Sequence, residues 1–383
     1  LHSFADMNSS PSVFDPGLRF IVEPSSTTLS ATEFSQLADL RPAGIMLRKR
    51  NLLQDQPYEA WLAKLDQLLA DVRKAIGRPN IIVSIDHEGG AVHRTPAPLT
   101  RFPYAATYGS SLEAVTEVSS FMAQELTSIG VNISFWPVAD IHSNPRNPVI
   151  NERAFGVTPE QVTSAAIACA RTLRSHGVIP CAKHFPGHGD TSADSHFSLP
   201  IVPHTRQELL SRELVPFKAL IDDGIEMVMT AHLIALDLDA DRQATISPAV
   251  LTSLLRETLG FKGVTIADAL GMKGIHDVVM SGTFATRAHQ AGLDLFLMAG
   301  DAVTLGDAIS LRDELQRGAE QGTLVESSFM ASQARIERLL NTLPQYAVKP
   351  LSAQTLQTHN KLAETLAKNA PWSSFVFSPA GFD

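Results

Sequence analysis

The sequence predicts an α/β fold: a (β/α)8 TIM-type barrel, one domain with a short C-terminal helical tail. Three observations carry that expectation. Eight short runs of apolar and β-branched residues recur along the 383 residues. Longer stretches of helical periodicity lie between most of them. No dinucleotide fingerprint supports the competing open, doubly wound sheet. Alternating strands and helices imply a parallel sheet, and eight units favour closing it into a barrel.

The first run is 18–22 (Leu-Arg-Phe-Ile-Val) and the second Gly44–Leu47. In Tyr58–Ile76 the apolar residues Trp61, Leu62, Leu65, Leu68, Leu69, Val72 and Ile76 form one stripe at helical spacing. Run 81–85 precedes a helix over 112–129, stopped by Gly130. Run 133–138 precedes a helix over 159–173, with Gly177 just past it. Runs 178–182, Met227–Thr230 and Val264–Ala267 follow, with helices expected over 207–221 and 248–259. Run 293–298 is the eighth, and helices over 304–315 and 326–340 come after it. The barrel domain is therefore expected to span 1–344. The tail, 345–383, holds one helical segment, 354–369, then Trp372 and Phe375. It is too short for a second domain and is expected to pack on the barrel.

Composition narrows the function classes. A hydrophobic fraction of 44% supplies a large core and argues against disorder. The formal charge of −9 argues against nucleic-acid or anionic-membrane binding. Two cysteines, Cys169 and Cys181, cannot build a disulfide framework, and both sit in apolar runs, which predicts buried thiols. No stretch is apolar enough for long enough to span a bilayer. Residues 1–16 lack a basic region followed by an apolar one, so the expected compartment is cytoplasmic.

In such barrels the chemistry sits at the C-terminal ends of the strands. Five consecutive runs end on polar residues there: Asp86, Asp140, the pair Lys183 and His184, His232, and Asp268. The densest segment runs from Lys183 to His196, with three histidines, two aspartates and a lysine. Its proline and glycines make it a loop. Three readings of that loop stay open on the residues alone. His184, His188, Asp190, Asp194 and His196 could ligate a metal, although no defined zinc spacing is present. Asp194 and His196 could form a proton-transfer pair, the carboxylate holding one imidazole nitrogen while the other faces a substrate. The third reading is solvated polar residues making loop hydrogen bonds.

The segment Lys183-His184-Phe185-Pro186-Gly187-His188-Gly189-Asp190-Thr191, followed by Asp194-Ser195-His196, closely resembles the signature of glycoside hydrolase family 3 β-N-acetylglucosaminidases of the NagZ type. Asp86-His87-Glu88-Gly89-Gly90, with Arg94 after it, is similar to that family's Asp-Gln-Glu-Gly-Gly segment. Trp136 to Asp140, Arg153-Ala154-Phe155-Gly156 and Met229-Thr230-Ala231-His232 resemble further segments, and Gly263 to Asp268 looks like the nucleophile strand. The matches run in family order from about residue 40 to 300.

The resemblance implies a retaining exo-β-N-acetylglucosaminidase. Asp268 would be the nucleophile and His196, oriented by Asp194, the acid/base. Asp86, Arg94, Arg153, Lys183, His184 and His232 would bind the sugar. His232 stands between substrate contact and structural hydrogen bonding, and Asp140 leans structural. Terminal β-linked N-acetylglucosamine of peptidoglycan fragments or chitin oligosaccharides would be the substrate. No cofactor or metal enters this account. A carbohydrate is the expected partner, with no nucleic acid and no membrane insertion. A metal-dependent barrel hydrolase using the His/Asp loop, and a non-catalytic sugar-binding relative, are the alternatives. The chain departs from the family at His87, where Gln is usual, at Ala91, at Asn151-Glu152, and at Ala267 and Ala269. These neighbours of the catalytic groups bear on substrate preference more than on reaction type.

Overall fold

The computed structural model describes residues 14–191 and 199–368. Eight parallel strands make the main sheet. They are β1 (Phe20–Val22), β2 (Gly44–Leu47), β3 (Ile82–Ile85), β4 (Ile133–Ser134), β5 (Ile179–Phe185), β7 (Met227–Thr230), β9 (Val264–Ala267) and β10 (Phe296–Met298). The spatial order is β10-β1-β2-β3-β4-β5-β7-β9. The two ends meet through the parallel bridge Ile266–Leu295 and the bonds from Ala267 N–H to Leu295 and from Leu270 N–H to Leu297. Seven of the predicted runs contain one of these strands and the eighth, 178–182, overlaps β5, which extends three residues further to Phe185; the sheet closes into a nearly complete barrel.

Strand alternation sorts the core into two parts. Ile21, Met46, Ile82, Ile133, Cys181, Met227, Val264, Ile266 and Leu297 point inward and fill the barrel. Phe20, Val22, Ile45, Leu47, Val83, Ile85 and Val228 point outward beneath the helices. Helix α10 (Glu326–Thr342) adds Ile336, Leu339 and Leu340 to the inner cluster beside Leu18 and Ala43, so it covers the end where the strands begin. The C-terminal ends stay available for a site. Both cysteines are buried, as their apolar context predicts.

The outer layer contains α1 (Ala31–Leu40), α2 (Tyr58–Ile76), α3 (Leu112–Ser128), α4 (Pro159–Ser175), α5 (Arg206–Ser211), α6 (Leu214–Asp222), α7 (Lys273–Val279), α8 (Phe284–Ala291) and α9 (Leu305–Glu320). Gly130 and Gly177 take φ of 84° and 80° just past α3 and α4, the stops their positions predict. Three helices escape the periodicity reading. Among them α1 starts with a capping box between Ser30 and Glu33. Helices α7 and α8 are seven and eight residues long, too short to show a stripe.

Two expected helices differ in kind. The segment 248–259 is a π-helix over Ala249–Thr258. The helix expected over 207–221 breaks at Arg212 and Glu213. Pro216 explains the break: in a continuous helix its ring would strike the carbonyl of Arg212, four residues earlier. Two short strands were not anticipated, β6 (Ile201–Val202) and β8 (Ile234–Ala235), which pair in parallel outside the barrel. After α10 the chain runs along α3 and α4. Tyr346 Oη donates to the Gly177 carbonyl at 3.0 Å and Lys349 N–H to the Ser128 carbonyl at 2.8 Å. In α11 (Ala353–Lys368), His359 Nδ1 lies 2.8 Å from Glu125 Oε1. Trp372 and Phe375 lie outside the described residues.

Candidate active site

The strand ends bring most of the predicted residues to one rim. Asp86 follows β3, Asp140 follows the β4 run, Lys183 and His184 sit near the end of β5, His232 follows β7 and Asp268 follows β9. Strand β5 is the longest at seven residues, and its register with β7 shifts between Ala182 and Phe185, where these two side chains are carried. The Lys183–His184 peptide is cis. Gly189 passes so close to the Ile141 carbonyl that a Cβ would lie 1.7 Å from its oxygen, so only glycine fits there.

Glu88 is the hub of the charge network. Its carboxylate accepts two bonds from Arg153, Nε to Oε2 at 2.8 Å and Nη2 to Oε1 at 2.9 Å. Lys183 Nζ lies 2.5 Å from the same Oε1 and also bonds Asp86 Oδ1. Arg94 Nη2 stands 4.0 Å from Asp86 Oδ2. Burial alone would raise the Glu88 pKa, but Arg153 and Lys183 hold it well below the carboxylate range. Burial would likewise lower the Lys183 pKa, yet Asp86 and Glu88 raise it. Asp86 remains more open than its partners, with 26% of its side chain exposed against 1% for Lys183. It is the member of the network that a solute can reach.

A second network fixes His184. Asp140 is fully buried and accepts from the backbone N–H of His184 at 3.1 Å and of His188 at 2.7 Å. Its Oδ2 also lies 2.6 Å from His184 Nδ1. Arg153 Nη2 stands 3.3 Å from His184 Nε2 and can only donate. That assigns the His184 proton to Nδ1, facing Asp140. Burial and His184 push the His188 pKa down to about 4 against the opposing pull of Asp140.

Asp268 Oδ1 accepts from the Ala269 N–H at 2.7 Å. Burial works to raise its pKa, but His184, His232, that N–H and Lys183 outweigh it and hold the group below the ordinary carboxyl range. Asp268 is therefore a carboxylate at neutral pH. His232 Nε2 lies 3.2 Å and 3.3 Å from the carbonyls of Asp268 and Ala269, which can only accept, so Nε2 carries the proton. Its Nδ1 meets Thr245 Oγ1 at 2.9 Å. His232 thus braces the backbone that presents Asp268.

The sequence reading picked out Asp86, Arg94, Arg153, Lys183, His184, His232 and Asp268, and all lie in these networks or beside them. Asp194 and His196 lie outside the described residues. The reading missed Glu88 as a hub, although two glycines after a charged residue hinted at a constrained turn. The buried His87 accepts from the Arg94 N–H at 3.3 Å, which holds that turn closed. The metal set weighed for the loop does not assemble among the described residues. The His184 ring is bonded to Asp140 and the His188 ring to Thr191 Oγ1, and among the described residues only Asp190 joins a compact trio, with His204 and Glu213. Arg212 already bridges that trio.

Comparison with known proteins gives the family of the chain and agrees with its fold. A family model described as the glycosyl hydrolase family 3 N-terminal domain matches residues 19–339. A β-hexosaminidase of Methylococcus capsulatus is 36% identical over 319 residues, which is 81% of this chain and 90% of that protein. A β-hexosaminidase of Shewanella frigidimarina is 30% identical over 354 residues, covering 88% and 97%. Among solved structures, a family 3 β-N-acetylglucosaminidase from Paenibacillus sp. superposes with a TM-score of 0.84 at 29% identity, over 94% of this chain and 69% of that one. NagZ from Neisseria gonorrhoeae, in complex with N-trifluoroacetyl-D-glucosamine, superposes with a TM-score of 0.74 at 30% identity, over 91% and 98%.

Proposed function

The chain belongs to glycosyl hydrolase family 3 and is a glycoside hydrolase of the β-hexosaminidase type, and from that premise we propose that it is a retaining exo-β-N-acetylglucosaminidase. Its substrates are peptidoglycan fragments or chitin oligosaccharides that end in β-linked N-acetylglucosamine. One observation carries the reading: an ionised Asp268 stands at the rim where Asp86, Lys183, Arg153 and His184 are held by Glu88 and Asp140. A ring of fixed donors and acceptors suits a pyranose, and a carboxylate beside it suits attack on the anomeric carbon.

In the mechanism, Asp268 attacks the anomeric carbon while His196 gives its proton to the departing glycosidic oxygen. A covalent glycosyl-enzyme forms and the aglycone leaves with that proton. His196 then takes a proton from water, whose oxygen displaces Asp268 and restores the β configuration. Asp194 stabilises the imidazolium that donates in the first step and is formed again in the second. Asp86 accepts hydrogen bonds from sugar hydroxyls, and Arg94 and Arg153 donate from the cationic side of the ring. No metal or cofactor has a part in these steps.

The test is turnover of an aryl β-N-acetylglucosaminide against the matching β-glucoside, with and without EDTA. The N-acetyl substrate alone should be cleaved, and EDTA should have no effect. Asp268→Ala should fall to background and His196→Ala by about 10²–10⁴-fold. Full activity in either variant, or loss to the chelator, would overturn the assignment.

A further inference from the structure

The described residues that flank the segment carrying Asp194 and His196, ending at Thr191 and resuming at Leu199, form two stems that are tied together. Asp190 lies four residues before Asp194, and His204 eight residues after His196. His204 Nε2 stands 2.7 Å from Asp190 Oδ2. Arg212 Nη2 donates to that same oxygen at 2.6 Å and lies 3.0 Å from His204 Nε2. Arg212 Nε donates to Glu213 Oε1 at 2.5 Å. Glu213 is buried, and its Cβ and Cγ pack so tightly on Gly187 that a Cβ there would come within 2.8 Å. Strand β6, just before His204, pairs with β8 and so fixes the second stem to the barrel rim.

Arg212 and Glu213 reach this position because α5 and α6 break between them. The apolar periodicity of the segment would have allowed one continuous helix. Pro216 forbids it, and Arg212 adopts φ −133° and ψ −78°. The break turns the guanidinium toward Asp190 and His204. A trio of one histidine and two carboxylates within 4.8 Å would suit a divalent cation. Here the cation is the chain's own guanidinium. A fixed fork gives Arg212 bonds to both acids at once, which a point charge could not direct in the same way.

We propose that Arg212 and Asp190, with His204, form a clamp that sets the distance between the two stems and so positions the acid/base His196 for proton transfer. Arg212 and Asp190 are positioning residues, and the inference rests on the proposed role of His196. The ion pairs are partly exposed, with Arg212 at 37% and Asp190 at 21%. A pair of that kind adds little to global stability, so Asp190→Asn leaves the barrel folded and affects the loop it ties, whereas Arg212 also neutralises the buried Glu213 and its removal is read together with the melting temperature.

The experiment is a leaving-group series on the full chain. Wild type, Arg212→Gln, Asp190→Asn, Arg212→Lys and His196→Ala are assayed for kcat/KM on dinitrophenyl, nitrophenyl and phenyl β-N-acetylglucosaminides, with thermal melting recorded for each. A dinitrophenolate leaves without protonation and a phenolate needs it. The expected result is a loss of about 10-fold or more on the phenyl glycoside in Arg212→Gln and Asp190→Asn, with the dinitrophenyl glycoside nearly unchanged. Arg212→Lys should recover part of the loss, and His196→Ala should show the same selectivity more strongly. Uniform losses across the series, or none, in the Arg212 and Asp190 variants while His196→Ala stays selective would overturn the clamp alone. A His196→Ala variant with no leaving-group selectivity would overturn the acid/base reading and the clamp with it.

Discussion

Glu88 faces two cations with one carboxylate, so a single substitution there removes charge from both at once. It is 2% exposed, and both Arg153 and Lys183 are buried against it. Glu88→Gln keeps the shape but leaves two buried cations short of charge. Breaking a buried pair costs about 3–5 kcal/mol, and a displaced Arg153 or Lys183 would misplace the sugar by enough to cost about 10²-fold in kcat/KM. Urea unfolding and Michaelis kinetics on this variant check both parts. Wild-type KM would show that the cations hold their places without Glu88. The strand-end rule led to Asp86 and passed over Glu88, two residues further on. That rule reads which residue terminates a strand. It cannot read which carboxylate two distant cations will share, because Arg153 lies 65 residues away in the chain.

At the scale of elements, the helix stops offer a controlled comparison. Gly77 and Gly177 both end helices at positive φ, 66° and 80°. A Cβ on Gly77 would meet nothing within 4 Å, whereas one on Gly177 would lie 1.9 Å from Tyr346 Oη. Gly77→Ala should therefore cost only the left-handed backbone penalty, about 1–2 kcal/mol. Gly177→Ala should cost clearly more, because the tail must also give up its bond to the Gly177 carbonyl. Denaturant midpoints for the two variants test this, and equal losses would mean that the tail contact carries no weight. The stop at Gly177, like that at Gly130, is legible from glycine placement, whereas Gly77 was not picked out. The break between α5 and α6 was not read, although Pro216 was in plain view, because the apolar spacing on either side continues in phase. Helices α7 and α8 are too short for periodicity to register.

At the scale of the molecule, acid should unfold this protein in stages. His188 and His289 are buried neutral, with pKa values pushed by desolvation to about 4 and about 3 from 6.5. For His289 the Arg19 guanidinium adds to the effect. Below pH 6.5 the unfolded chain takes protons that the folded chain refuses, so stability falls as pH drops toward those values. Each histidine contributes a slope of up to about 1.4 kcal/mol per pH unit. Asp294 acts lower. Burial opposes its charge, but Arg256 and Arg335 win and depress its pKa to about 2 from 3.8. Its contribution is complete above 3.8 and is lost between 3.8 and 2. Urea midpoints should decline steadily from pH 7 to pH 4.5 and more steeply below 4. A midpoint constant between pH 6.5 and 5 would contradict the burial of neutral histidines. Asp294→Asn should lower the midpoint at neutral pH, since it strands Arg256 and Arg335 at the closed end of the barrel.

The barrel, its eight strand runs and the strand-end residues could be read from the chain because periodicity and apolar runs are local properties, set by residues within a few positions of each other. The resemblance of Lys183 to His196 to a known signature was equally local, and the family match bears it out. What required the folded chain was every property of a pair. The closure of β9 on β10, the sharing of Glu88 by Arg153 and Lys183, the His184 proton on Nδ1 and the grip of Arg212 on Asp190 each join groups from different segments. Lys183 and Asp86 are 97 residues apart and become neighbours because β3, β4 and β5 stand side by side. Sequence spacing specifies which residues a strand presents. Only the twist and closure of the sheet decide which charges come close enough in a low-dielectric rim to set one another's ionisation.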